Sequence, residues 1–314
     1  MHVAVTGGSG FIGSRLVNLL AKRGYEVSCL IHNNHAQAEV HRVVNGDLLD
    51  TKALSELMEG VDGLFHLAAI FEIGTRRAKQ MHLVNVEGTR RVLTIAQEKA
   101  VQKIVYCSSV VALGATKDSV ADERWNHDGV FQSEYCRSKY LAHMLAKEFQ
   151  QAGLPLIICM PSAVYGSGNP SALGRSWELY TSGKLPFVIA PSTRLTYVHV
   201  DDVAEGLLLA FERGRLGESY ILAGEIRTNL EVLDLIDEVT GKKRKKWVLP
   251  LPLAKLAAIV DELVSSLQGQ APLLSLEAIE MLSCNWAVSS EKARAELGWT
   301  TRTLQQGLKQ MFTI

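Results

Sequence analysis

The chain has no surplus of either charge: Lys plus Arg and Asp plus Glu number 33 each, so the formal net charge is zero. A broadly basic nucleic-acid binder needs a cationic excess to neutralise phosphates, so that class is set aside in favour of a small-molecule partner. Cysteine is sparse. Cys29, Cys107, Cys136, Cys159 and Cys284 are odd in number and lack C-x-x-C spacing, which argues against a disulfide framework. Four lie in or beside apolar runs and read as small buried hydrophobes in a reducing compartment. Metal patterns are also missing. The nine histidines form no H-E-x-x-H or Cys/His zinc spacing, and His32, His35 and His41 lack helical spacing or a carboxylate partner, so no metal is expected.

Uninterrupted apolar runs are absent too. The longest candidate, Leu249 to Leu267, contains Lys255, Asp261, Glu262 and two prolines. It is too broken for a membrane span and reads as a mostly buried helix. No basic stretch followed by a long apolar one opens the sequence, so no signal peptide is expected and the location read from it is cytoplasmic. No internal repeat or low-complexity segment appears. The run Gly241 to Lys246, with five consecutive basic residues, reads as a solvated turn after a helix ending at Gly241.

What is present is ordinary globular composition: 314 residues, 47% hydrophobic and 21% charged, enough for one large domain or two unequal ones. Strand-like runs at Val3–Thr6, Glu26–Ile31, Arg42–Asn45, Gly63–Leu67, Lys103–Cys107 and Leu156–Met160 alternate with helical stretches. Those stretches are Phe11–Arg23, Lys52–Glu59, Met81–Lys99 and Glu134–Gln151. This β-α rhythm predicts an α/β fold with a doubly wound parallel sheet of Rossmann type. After Pro161 the rhythm breaks. A strand at Thr196–Val200, a helix at Asp201–Glu212 and a strand at Ser219–Leu222 are expected to return to the sheet. Residues 1–165 are read as the dinucleotide-binding domain, with 195–223 and 286–314 packing back onto it. Residues 166–194 and 224–285 are read as a smaller, mainly helical substrate lobe.

Thr6-Gly7-Gly8-Ser9-Gly10-Phe11-Ile12-Gly13 occupies the first strand-to-helix junction. Gly7, Gly10 and Gly13 suit a tight turn, close backbone approach to a pyrophosphate and close helix–strand packing. The Lys and Ser/Thr of a P-loop are missing, which disfavours ATP and GTP. Further on, Tyr135-Cys136-Arg137-Ser138-Lys139 opens a helix and puts Tyr135 and Lys139 on one face. A free tyrosine, with pKa near 10, is a poor base at neutral pH; a neighbouring ammonium, helped by the positive charge of an oxidised dinucleotide cofactor, favours the phenolate and would move that pKa towards the working range.

With T-G-x-x-G-x-x-G and Tyr-x-x-x-Lys together, the chain resembles an extended short-chain dehydrogenase/reductase of the NAD-dependent epimerase/dehydratase family. The look is that of dihydroflavonol-reductase-like and hopanoid-associated sugar-epimerase-like members. Gly46-Asp47-Leu48, His66-Leu67-Ala68-Ala69, Asn85-Val86-Glu87-Gly88-Thr89, Tyr197 to Ala204 and Ala295 to Trp299 extend the resemblance over nearly the whole chain. It implies a catalytic set of Ser109, Tyr135 and Lys139, with Ser108 a loop or backbone-bonding residue and Asn85 structural or water-positioning. It also implies cofactor contacts from Gly7, Gly10, Phe11, Ile12, Gly13, Asp47, Leu48, Ala68, Ala69, Tyr135 and Lys139. Pro161 and Val164 would lie beside the nicotinamide carboxamide. Strand two ends Ile31-His32-Asn33 without the carboxylate that holds an NAD ribose, and either His32 or Arg15 could meet a 2′-phosphate, so the expected cofactor is NADP, with NAD the alternative.

Within that family, dehydratases and decarboxylases carry acidic residues just after the catalytic hydroxyl, where this chain has Val110 and Val111. Sugar-nucleotide members place an Asn where Ala163 stands, and Arg194 is one position from their diphosphate-binding Arg. The preferred expectation is a carbonyl reductase or alcohol dehydrogenase for a fairly apolar ketone, ahead of an NDP-sugar 4-epimerase or a non-catalytic dinucleotide sensor. A homodimer through Met81–Lys99 and Glu134–Gln151 is expected by the same analogy.

Overall fold

The computed structural model describes residues 1–32, 40–74, 77–185, 187–268, 272 and 274–312. Short β-branched runs form the first six strands: β1 (His2–Thr6), β2 (Glu26–Ile31), β3 (Arg42–Asn45), β4 (Gly63–His66), β5 (Lys103–Cys107) and β6 (Leu156–Pro161). They are followed by β7 (Ala163–Tyr165), β8 (Phe187–Val188), β9 (Arg194–His199), β10 (Ser219–Leu222), β11 (Glu225–Thr228) and β12 (Trp247–Val248). The main sheet is parallel throughout, in the order β10-β6-β5-β4-β1-β2-β3.

Alternation along each strand divides the interior into two layers. Ala4, Leu30, Leu64, Ile104 and Ile158 point one way, against helices Thr51–Leu57, Thr89–Glu98 and Glu134–Gln151. Val3, Val5, Cys29, Phe65, Val105 and Ile157 point the other way, against helices Phe11–Lys22, Val200–Arg213 and Glu291–Leu297. Neither face of the sheet can be polar, which is why these strands read as continuous apolar runs. The chain leaves β1 towards β2 and β3, then crosses back to β4 on the other side. That reversal opens a crevice beyond the carboxyl ends of β1 and β4, where ligands of doubly wound sheets bind.

Several sequence expectations need correction. The strand expected at Thr196–Val200 does not rejoin the main sheet. Instead β9 pairs with β7 and β11 in a separate three-stranded sheet, because β10 takes the edge position beside β6. The Met81–Lys99 helix starts at Ala78 and passes through a π-helical segment, Leu83–Gly88, before Thr89–Glu98. The basic run is also divided. Lys242, Lys243 and Lys245 are exposed, but Arg244 and Lys246 fold onto the buried Asp237 at 3.4 and 2.6 Å.

The helix Leu251–Leu267 is not mostly buried. Ala254 and Ala258 pack against Ile279 of helix Leu276–Ser283, while Leu256, Leu263 and Leu267 face outward. Only one side of this helix finds a packing layer. No helix among the described residues is long and apolar enough to cross a membrane. Cys29, Cys107, Cys136 and Cys159 are buried free thiols; three lie in strands and Cys136 in a helix. Asn33 and His35 lie outside the described residues. No cluster of metal-binding side chains occurs among the described residues.

Candidate active site

The glycine loop follows directly from β1. Gly7 has φ +74, a left-handed conformation that side chains resist, and its amide neighbourhood is so tight that a Cβ would lie 2.6 Å from the Ala68 nitrogen. A Cβ on Gly13 would sit 2.0 Å from the Gly7 carbonyl oxygen. The loop therefore closes on itself, with the Gly10 N–H donating to that same oxygen at 3.0 Å. Helix Phe11–Lys22 starts without a capping side chain and without an acidic residue in its first turn. Its free N–H groups and positive dipole end thus face the crevice, a cradle shaped and charged for a diphosphate. Gly13→Ala should lower dinucleotide affinity by roughly 10–10²-fold, the free energy of a forced methyl in a tight site. Calorimetric titration measures this, and unchanged affinity would contradict the fit.

The second wall is the loop after β4, fixed by His66. Thr89 donates its hydroxyl proton to the Asn85 carbonyl at 2.7 Å, so it must accept from His66 Nε2, 2.9 Å away. His66 Nδ1 then accepts from the Thr6 hydroxyl at 2.7 Å, and the Thr6 oxygen accepts the Ala68 N–H at 3.4 Å. Burial, reinforced by the Lys139 charge, holds the His66 pKa down at about 3, so the ring is neutral with its proton on Nε2. This chain of bonds ties the ends of β1 and β4 to the helix behind them. The motif His66-Leu67-Ala68-Ala69 was legible as a family segment, but nothing local in it identifies the ring as the bolt.

Asp47 and Leu48 lie past β3. Asp47 Oδ1 accepts the Leu49 N–H at 2.7 Å, which sets the turn, and Leu48 is buried against Gly88. Ala68 is half-buried and Ala69 exposed on the crevice loop. Pro161 ends β6 and Val164 lies in β7, its carbonyl accepting from Asn169 at 3.0 Å. His32 is exposed just beyond β2. Arg15 donates to the Ser167 carbonyl at 3.3 Å and pairs with Asp201 at 3.7 Å, so of the two basic candidates it is the one engaged elsewhere.

Ser109 follows β5. Its oxygen accepts the Val111 N–H at 3.4 Å and caps a short 3-10 turn, Val110–Leu113, which orients the side chain. Helix Glu134–Gln151 begins at Ser133, whose Oγ accepts the Cys136 N–H at 3.1 Å. That start sets Tyr135 in the first turn and Lys139 one turn later. Tyr135 and Ser109 are brought together, near enough for the serine hydroxyl to favour the charged form of the phenol. Lys139 is buried, donates from Nζ to the Cys107 carbonyl at 3.2 Å, and lies over the Tyr106 ring at 5.4 Å. Burial lowers its pKa below the ordinary lysine value. Burial raises the Tyr135 pKa well above the usual value, opposed by the nearby Ser109 hydroxyl, so the phenol is protonated at neutral pH.

Phe71 and Glu277 join the site without any local motif to announce them. The Phe71 ring stands edge-on to Tyr135, with centroids 4.7 Å apart at 84°. Asn85, inside the π-helical segment, accepts the Ile70 N–H at 2.7 Å and donates to Ser138 at 2.9 Å. Glu277 accepts the Gly74 N–H at 2.8 Å and the Glu134 N–H at 3.2 Å. It pins the Phe71 loop to the Tyr135 helix from a segment far away in sequence. Ser108 bonds a side chain rather than only backbone: its Oγ is 3.0 Å from His143 Nδ1.

The family model for the NAD dependent epimerase/dehydratase family matches residues 3–223. A dihydroflavonol 4-reductase-like protein of Synechocystis sp. is 32% identical, covering 97% of this chain and 91% of its own length. The 4-hydroxy-2-methyl-3-oxo-4-farnesyl-3,4-dihydroquinoline-1-oxide ketoreductase of Stigmatella aurantiaca is 31% identical, covering 98% and 95%. The solved structure of gox2253 superposes with a TM-score of 0.83 at 34% identity, covering 98% of this chain and 96% of that one. With a dinucleotide cradle at the sheet's reversal and a whole-length match to these enzymes, the chain belongs to the NAD-dependent epimerase/dehydratase family, the extended short-chain dehydrogenases/reductases that work with a nicotinamide dinucleotide.

Proposed function

We propose that the protein is a carbonyl reductase or alcohol dehydrogenase acting on a fairly apolar ketone or alcohol, with NADP as the preferred cofactor. The observation that carries this reading is the wall around Tyr135: Phe71 edge-on to its ring, and Val110 and Val111 where an eliminating enzyme needs an acid. Glu277, the carboxylate nearest in the hydrogen-bond pattern, has both oxygens occupied by backbone N–H groups. Arg194 donates to the Asp118 carbonyl at 2.8 Å and Arg227 pairs with Glu225 at 2.6 Å, so neither is held ready for a sugar diphosphate. Two relatives named as reductases support the same choice.

When bound, the nicotinamide supplies or accepts the hydride. The protein's part falls to three side chains. Tyr135 donates its phenolic proton to the carbonyl oxygen as negative charge develops there, and Ser109 donates a hydrogen bond to the same oxygen. Lys139 stabilises the resulting phenolate and holds the nicotinamide ribose. Gly7, Gly10, Phe11, Ile12 and Gly13 hold the diphosphate, Asp47 and Leu48 flank the adenine, and Ala68, Ala69, Pro161 and Val164 line the remainder. Residues 166–194 and 224–285 form the substrate lobe. Helices carrying the exposed Leu83 and Met144 supply a homodimer face.

The deciding experiment assays the purified protein with NADPH against a panel of aryl and alkyl ketones, and separately with UDP-hexoses. Ketone-dependent oxidation of NADPH supports the reading. Hexose epimerisation without net cofactor turnover would replace it. For the cofactor, His32→Asp should move the NADPH-to-NADH affinity ratio towards NADH by roughly tenfold or more, since a carboxylate there repels the 2′-phosphate. An unchanged ratio would remove His32 from the ribose site.

A further inference from the structure

The helix Leu251–Leu267 leaves its outer face bare. Leu253, Leu256, Val260, Leu263, Val264 and Leu267 fall within an arc of about 100° at the helical period. All six are exposed, Leu256 by 58%, Leu263 by 61% and Leu267 by 88%. No charge interrupts that arc. Lys255 is paired with Glu280 at 2.5 Å, Asp261 accepts the Leu274 N–H at 2.8 Å, and Glu262 accepts the Leu276 N–H at 2.9 Å. The charged side chains of the helix are therefore all engaged by its own protein neighbours.

The segment just before this helix has the opposite polarity. Lys242, Lys243 and Lys245 are exposed and have no ion-pair partner among the described residues, whereas Arg244 and Lys246 are held by Asp237. Between the lysines and the helix come Trp247, 60% exposed, and Val248. In the ribbon formed by β8 and β12, Trp247 pairs in register with the exposed Phe187. Free ammoniums, then an exposed aromatic pair, then an uncharged leucine-rich helical face form the arrangement that seats a helix in the headgroup layer of a membrane.

We propose that this face docks the protein onto an anionic lipid bilayer, with the helix lying in the interface plane. The aromatic pair would sit at headgroup depth and the three lysines would meet lipid phosphates. The charge pattern is what selects this occupant. An antiparallel isologous contact with a second copy would leave the ammoniums at the two ends of the seam without an anionic partner, whereas an anionic bilayer meets the leucine face and the lysines together. The proposal stands independently of the substrate reading. It also places the cleft at the membrane, because helix Leu276–Ser283, packed beneath the docking helix, carries the Glu277 that touches the start of the Tyr135 helix.

The test is co-sedimentation of the full chain with vesicles of phosphatidylcholine alone, or with about a third phosphatidylglycerol, at low and high salt. Binding to the anionic vesicles that weakens with salt, with a blue shift in tryptophan emission lost in Trp247→Phe, is the expected result. Replacing Lys242, Lys243 and Lys245 by Gln should weaken binding by roughly 10²-fold, at about fivefold per lysine. Leu256→Ser with Leu263→Ser should abolish the insertion-dependent blue shift while leaving the circular dichroism spectrum intact. Absence of binding to anionic vesicles, or binding indifferent to both sets of changes, would overturn the proposal. So would self-association, seen by analytical ultracentrifugation and removed by the leucine changes, in a protein that ignores vesicles.

Discussion

Tyr135→Phe should reduce turnover by roughly 10²–10⁴-fold while leaving dinucleotide affinity nearly unchanged, the range expected when a general acid is removed. Burial keeps the Tyr135 phenol protonated at neutral pH, which is the form that can give a proton to a carbonyl oxygen. Phenylalanine keeps the ring that meets Phe71 edge-on, so the apolar wall and the helix start survive. What disappears is the phenolic hydroxyl beside Ser109, and with it the transferable proton. Lys139→Met is the informative partner: its buried ammonium is assigned to both the phenolate and the ribose, so turnover and cofactor affinity should fall together. Single-turnover kinetics and calorimetry separate the two variants. A Tyr135→Phe enzyme with near-normal turnover would mean that another group delivers the proton, and the Ser109–Tyr135–Lys139 assignment would have to be given up.

Strands such as Val3–Thr6 and Leu156–Met160 were legible because a sheet covered on both faces demands continuous apolar runs, and the glycine loop because two of its Cβ positions are already filled by backbone. Tyr135 and Lys139 were legible through helical spacing. A strand at Thr196–Val200 was legible too, yet sequence could not tell which sheet it would join; only the competition with β10 for the edge beside β6 decides that. The Leu251–Leu267 helix was misjudged for a related reason. Hydrophobicity predicts burial only when a partner layer exists, and among the described residues one face of this helix has none. Glu277 and Phe71 reach the candidate site through tertiary contacts from segments without any local motif, so no reading of their neighbours would have found them.

That burial also sets how the fold should respond to acid. His66 and His143 are both buried and neutral, with pKa values pressed down to about 3 and about 4 by desolvation and neighbouring lysines. In the unfolded chain each returns to about 6.5. Protons are therefore taken up on unfolding at any pH between the two values, so the stability these residues contribute is complete above about pH 6.5 and is lost as pH falls towards 4. From pH 6.5 to 5 the two together should cost about 3 kcal/mol of unfolding free energy, before the carboxylates titrate. His199, also buried and held below its ordinary value, acts in the same direction. Urea unfolding at closely spaced pH values in this window measures the slope. A midpoint that does not move between pH 6.5 and 5 would mean His66 accepts a proton in the folded state, and the Thr6–His66–Thr89 chain would not have the protonation derived for it. If the slope is present, the acid loss should begin at the cofactor crevice, because His66 joins the ends of β1 and β4. Dinucleotide affinity should then fall over the same interval, ahead of global unfolding.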